Sequence, residues 1–277
     1  MTLEIKGILP LAKGSFDVLG LDWSLPSHGE AYSDCGAWRK RGCLNVDGHV
    51  NNGLFEEIAG KVYVELYHRS CVRAECPICY EDWAGKEAKK IEHRLKSVGR
   101  SMGLAIHLSV SPSNHDVYGN EYPILRKKAY LIARKSGFLG GSCMYHPFRE
   151  DERGLWYFSP HFHMIGYGWI HGTKEVYEQH GWIVKNLGVR ESISATAMYQ
   201  LSHTGIKAGH TSVTWFGRLS YNKLRVKPME KEKHLCPACG SELRALLYLG
   251  SELLPESDVG FWANPNDWIY KSSHGYG

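Results

Sequence analysis

Two Cys-Pro-x-Cys knuckles, Cys76-Pro77-Ile78-Cys79 and Cys236-Pro237-Ala238-Cys239, limit what this chain can fold into more than any other feature. In each, a tight turn lets both thiolates reach one tetrahedral zinc ion, which then draws its remaining donors from elsewhere in the chain. The candidates are Cys35, Cys43, Cys71, His68 and His234. Two assignments stand open. In one, Cys43, Cys71, Cys76 and Cys79 share an ion, while Cys236 and Cys239 are completed on a second ion by Cys35 or a histidine. In the other, the two knuckles share a single ion. The first is favoured because Cys71, Cys76 and Cys79 are local in sequence, whereas the second requires the two ends of the chain to meet. Cys143, alone in an apolar run, reads as core.

A second constellation is Pro160-His161-Phe162-His163-Met164-Ile165, followed later by Tyr199-Gln200-Leu201-Ser202-His203. On a strand, His161 and His163 project from one face, while Phe162 and Met164 point to the other. Two neutral imidazoles make a two-point clamp for a divalent ion and leave positions open for a phosphate oxygen or water. Tyr199 offers a phenol, one of the side chains that form covalent intermediates once activated. His146 is the expected third ligand, because a hairpin would bring its strand beside the pair; His107 is the next candidate. His203 lies one helical turn beyond Tyr199 and shares its face.

Periodicity places these residues on elements. Tyr80 to Val98 reads as an amphipathic helix with Ala84, Ala88, Ile91, Leu95 and Val98 on one side. Leu104 to Val110 alternates as a strand and is broken by Pro112-Ser113-Asn114. Residues 124–135 read as helix, 138–148 as extended, 155–168 as the histidine strand, 192–204 as the tyrosine helix and 211–219 as a last strand. Residues 169–191 read as an insert. The sum is β-α-β-β-α-β, an α+β chain with a ferredoxin-like (RRM-like) antiparallel sheet. Both helices are expected on one face, leaving the other for metal and nucleic acid.

The ordered set of motifs resembles the HUH endonucleases, the rolling-circle replication initiators. His107-Leu108-Ser109-Val110-Ser111 stands for the first motif, His161-Phe162-His163 for the second and Tyr199 for the third. The phrases from Cys76 to Ala84 and from Trp215 to Ser220 are similar to initiators of archaeal plasmids and viruses. The resemblance implies Mn²⁺ or Mg²⁺ on the histidines and nicking and rejoining of single-stranded origin DNA through a 5′-phosphotyrosine. Many initiators carry a Lys three or four residues after the tyrosine; here the fourth position is His203, and Lys207 follows beyond Gly205. The implied layout is an N-terminal region with zinc-binding cysteines and an amphipathic helix over residues 1–100, an HUH core over 101–225, and a C-terminal zinc knuckle and tail over 226–277, the cysteine regions being zinc-binding elaborations of the core. A transposase or relaxase would use the same chemistry. A non-enzymatic zinc-dependent nucleic-acid binder and a zinc hydrolase are the other readings.

The net charge of +4 is mild, so a nucleic-acid surface must come from local clusters. Arg126, Lys127, Lys128 and Arg218 are the candidate DNA contacts. No membrane-length apolar run occurs, and Met1-Thr2-Leu3-Glu4-Ile5-Lys6 lacks a signal-peptide pattern, so a cytoplasmic location in a host cell is expected. In that compartment the cysteines suit zinc better than disulfides. The sequence holds no Gly-x4-Gly-Lys-Ser/Thr loop, which implies reliance on a host helicase, and on a host polymerase to extend the nicked strand.

Overall fold

The computed structural model describes residues 22–50, 58–114 and 120–272; the signal-peptide reading of Met1 to Lys6 falls outside them. In chain order they form β1 (Trp38–Cys43), α1 (Val46–Val50), β2 (Val62–His68), α2 (Tyr80–Lys96), β3 (Ile106–Pro112), α3 (Tyr122–Lys135), β4 (Phe138–Glu150) and β5 (Trp156–Gly168). There follow α4 (Thr173–His180), β6 (Trp182–Val189), α5 (Ile193–Leu201), β7 (Val213–Gly217), β8 (Arg244–Tyr248), β9 (Phe261–Ala263) and β10 (Trp268–Tyr270). The protein is α+β, with two five-stranded antiparallel sheets. Among the described residues no helix is long and apolar enough to cross a membrane.

The chain divides into two compact units, one of residues 1–31 and 72–229, the other of 32–71 and 230–277. This differs from the expected three-part layout. In the second unit the early hairpin β1–β2 supplies the middle of a sheet ordered β10-β8-β1-β2-β9. Its outer strands come from the C-terminal segment, so the sheet cannot be completed until the two ends of the chain meet. Val62, Val64, Leu66, Leu246 and Trp268 form its small core.

The first unit holds a sheet ordered β6-β3-β5-β4-β7, with the histidine strand β5 at its centre. The turn Asp151–Leu155 closes the expected β4–β5 hairpin, with the Asp151 N–H donating to the Leu155 carbonyl at 2.9 Å. One face carries Leu108, Val110, Cys143, Phe162 and Met164 against Leu125, Ala129, Ile132 and Ala133 of α3 and Val176 of α4. The other carries Met144, Ile165 and Tyr167 against Ala84, Ala88, Ile91 and Leu95 of α2 and Ile193, Ala197 and Leu201 of α5. Helices therefore cover both faces, where the sequence reading put them on one. The insert is not a loose extension either: it supplies helix α4 and edge strand β6, which pairs with β3.

Helix α2 forms because its apolar side chains recur at helical spacing, with Glu81 and Asp82 in its first turn and His93, Arg94 and Lys96 in its last, matching the helix dipole. Its stripe is the main support of the tyrosine helix. Leu95 is fully buried in that layer. Leu95→Ala is expected to lower the unfolding free energy by about 2–5 kcal/mol, read from a denaturant titration.

Candidate metal centres and active-site cleft

The face of the sheet that carries Ile165 also carries four histidines, because residues directly opposite in paired strands point the same way. His107 sits opposite Ile165, Met144 opposite His163, and His146 opposite His161. His146, His161 and His163 bring ring nitrogens within 4.8 Å of one another, enough to share a metal ion. The structure thus puts the expected third ligand with the pair. His107 is adjacent: its Nε2 is 2.8 Å from His163 Nδ1.

The chemistry of these rings suits a cation. Burial first, and then neighbouring charge, pushes all of them below the ordinary histidine range, His107 to about 4 and His161 to about 3. His146 and His163 are held well below it for the same reasons. Neutral imidazoles are what a metal requires. His161 Nδ1 lies 2.7 Å from the Ser159 carbonyl and must donate to it, which leaves the Nε2 lone pair for a ligand. His146 Nε2 is buried without a hydrogen-bond partner, a costly state that a bound ion would relieve. His146→Ala is expected to weaken Mn²⁺ binding at least about 100-fold in a calorimetric titration.

Helix α5 lies over this face. Ser192 caps it, accepting from the Ala195 N–H at 3.2 Å. Ala195, Thr196, Tyr199 and Gln200, on one side of the helix, line an open cleft of ≈ 480 Å³ whose other walls are His107, His163, Leu187 and Arg190. Tyr199 is 66% exposed, so its hydroxyl is accessible to a bound polymer. The His203 ring meets the Tyr199 ring edge-on at 5.1 Å. His203 Nδ1 faces the Tyr199 carbonyl at 3.1 Å and Ser202 Oγ at 2.9 Å, while Ser202 itself donates to that carbonyl. Nδ1 therefore carries the proton, and Nε2 is the acceptor nitrogen.

Other expected residues are placed elsewhere. Lys207 pairs with Asp22 at 3.0 Å and lies over the Trp23 ring, and it is not part of the cleft lining. Arg126, Lys127 and Lys128 belong to α3, on the sheet face opposite the histidines, and the Arg126 guanidinium lies over the Tyr122 ring at 5.1 Å. Arg218 is exposed after β7, with its backbone N–H bonded to the Leu139 carbonyl at 3.0 Å. Conversely, Arg190 and buried Gln200 line the cleft without having been expected there. Only the neighbourhood of Gln200 to Tyr199 hinted at a role.

In the second unit Cys43, His49, Cys236 and Cys239 converge, their ligand atoms within 4.8 Å of one another. Cys43 leaves the end of β1, His49 comes from α1, and the knuckle turns through Gly240 at φ +70°. The Cys236 N–H donates to the Ser241 carbonyl at 2.8 Å, and the Gly240 N–H to the Cys236 carbonyl at 2.9 Å. His49 Nδ1 donates to the Lys61 carbonyl at 2.9 Å, leaving Nε2 3.3 Å from Cys236 Sγ. Burial raises the Cys43 thiol. At Cys239 burial also acts upward, but hydrogen bonds with the Ser241 side chain and backbone and with Cys43 and Cys236 together outweigh it and lower the thiol. A Cys₃His set with a fixed histidine tautomer can hold zinc.

Cys43 therefore goes to the second knuckle, not with Cys71, Cys76 and Cys79, and His49 takes the place left to Cys35 or another histidine. Cys35 instead lies within 4.8 Å of Cys71 inside the second unit. Cys76 and Cys79 lie equally close in the first, where the Tyr80 N–H bonds back to the Cys76 carbonyl at 3.0 Å as α2 begins. Each pair offers two of the four donors of a zinc ion. Cys143 is buried in the α3 face of the sheet, as read from the sequence. Comparison with known proteins matches the chain to no family model, no curated protein and no solved structure.

Proposed function

We propose that residues 72–229 form an HUH-type endonuclease core that nicks and rejoins single-stranded DNA at a replication origin. The observation that carries this reading is the cleft shared by Tyr199 and His163: a nucleophile and a metal-ligand candidate open onto the same space. Two features support it. The three-histidine cluster sits on the central strand of the sheet. The order β6-β3-β5-β4, with α3 and α4 as its connections, suits a ferredoxin-like core, in which β6 rather than β7 is the fourth strand.

In the mechanism the phenolic oxygen of Tyr199 bonds to phosphorus in line with the departing 3′-oxygen. The phosphorus–O3′ bond breaks, the 5′-phosphate stays on Tyr199, and the 3′-oxygen takes a proton to become a hydroxyl. His203, whose ring meets the Tyr199 ring edge-on, would receive the phenolic proton through Nε2. His146, His161 and His163 would hold the divalent ion, which when bound supplies positive charge at a non-bridging oxygen of the scissile phosphate. An all-imidazole set fits Mn²⁺ better than Mg²⁺, which favours oxygen donors. Attack by a new 3′-hydroxyl on the phosphotyrosine reverses the step and rejoins strands. A host helicase would unwind the origin, and a host polymerase would extend the 3′-hydroxyl.

The test is a denaturing gel of the full chain incubated with Mn²⁺ and labelled single-stranded DNA from its replicon. A covalent band that forms with zinc-loaded protein only when Mn²⁺ is added supports the reading. Tight binding with no band from any origin strand replaces it with a non-enzymatic zinc-dependent binder.

A further inference from the structure

A phosphodiester entering the cleft needs a cation fixed where its charge arrives, and Lys207, the nearest lysine after Tyr199, is engaged with Asp22. Of the side chains that line the cleft, His107 and His163 are imidazoles, Leu187, Ala195, Thr196, Tyr199 and Gln200 carry no positive charge, and Arg190 is the one permanent cation. Its backbone is anchored, since the Arg190 N–H donates to the Ala105 carbonyl at 2.9 Å. Its guanidinium is anchored as well: one terminal nitrogen donates to the Leu187 carbonyl at 2.8 Å and lies 3.3 Å from His107 Nδ1. A planar guanidinium anchored through one terminal nitrogen in the wall of the cleft is preorganised for an acceptor with two oxygens.

We propose that Arg190 is the phosphate-binding residue of the cleft. The inference rests on the reading of the cleft as a DNA site, and it specifies which side chain meets the backbone of the strand there. Two residues after Arg190, Ser192 caps α5, the helix that carries Tyr199. The cation and the nucleophile are thus set by one short stretch of chain. No bond is made or broken by Arg190; it holds one phosphate while Tyr199 reacts.

The experiment measures equilibrium binding of a fluorescein-labelled, mixed-sequence single-stranded oligonucleotide to the zinc-loaded full chain with no Mn²⁺ or Mg²⁺ added, across a salt series. Removing one phosphate contact lowers the slope of log K against log salt by about 0.7 on single strands. Arg190→Gln, which keeps an amide donor for the Leu187 carbonyl, is expected to lose that increment, and Arg190→Lys to retain it. Mn²⁺ affinity should be equal in all three proteins. An unchanged slope in Arg190→Gln overturns the inference, as does a loss that Arg190→Lys fails to restore, which would mark a structural role. Because binding is read without catalysis, a wild type that forms no covalent adduct would sink the endonuclease reading and still leave the role of Arg190 decided by the slope.

Discussion

Tyr199→Phe is expected to remove the covalent protein–DNA band completely while leaving the affinity for single-stranded DNA within about twofold of wild type. The substitution deletes one oxygen. That oxygen belongs to a side chain that is two-thirds exposed, so the fold should be insensitive; exposed substitutions of this kind usually stay within about 0.5 kcal/mol. The ring remains to contact a base, and the histidine cluster is untouched. Among the described residues, no other tyrosine lines the cleft. Tyr221 is as exposed, but its ring stacks at 4.7 Å from the Arg94 guanidinium, in a groove with Trp215 and Val226 rather than in the histidine cleft. A band that persists in Tyr199→Phe would therefore assign the nucleophile elsewhere and break the link between cleft and chemistry. Turnover of DNA by Tyr199→Phe without any covalent species would point instead to hydrolysis, with water as the nucleophile.

Much of that cleft was legible in the sequence because its signals are local. The two-residue spacing of His161 and His163 fixes them to one face of any strand, and the short turn after Glu150 forces β4 to return beside β5, which carries His146 to His161. The buried stripe of α2 was readable for the same reason. Helix α4 was not: Val176 is its one buried residue, and glycines with left-handed backbone flank it in place of side-chain caps. Strand β6 was hidden too, since only Trp182 of its eight residues is buried and no apolar alternation marks it. Arg190 left no trace, since an arginine gains its meaning from the walls around it. The zinc donors failed for another reason. Local spacing favoured grouping Cys43 with Cys71, but strand pairing overrides it: Cys43 stands opposite Tyr63 at the far end of the hairpin from His68. His49, remote in sequence from Cys236, has no motif to announce it.

Stripping zinc is expected to unfold the second unit, the largest structural effect anticipated for this protein. Its sheet joins strands from two distant segments, residues 32–71 and 230–277, so the unfolded chain must close a long loop before β8 can pair with β1. Against that cost stand a five-residue buried cluster and a second around Cys43, Cys236 and Leu243. A unit with so small a buried core is marginal without a staple. The Cys₃His centre is such a staple, because its donors come from both segments: Cys43 and His49 from the first, Cys236 and Cys239 from the second. Structural zinc in small domains contributes an apparent binding energy of about 10–16 kcal/mol at neutral pH. Cys236→Ser should release one equivalent of zinc to a chromophoric chelator and abolish the melting transition of the unit. His49→Ala should weaken zinc retention and lower the transition without abolishing it. Acidification should act in the same direction, since the thiolates must stay deprotonated to bind the ion. A protein purified without zinc, melting identically before and after chelation, would reduce these four side chains to ordinary packing.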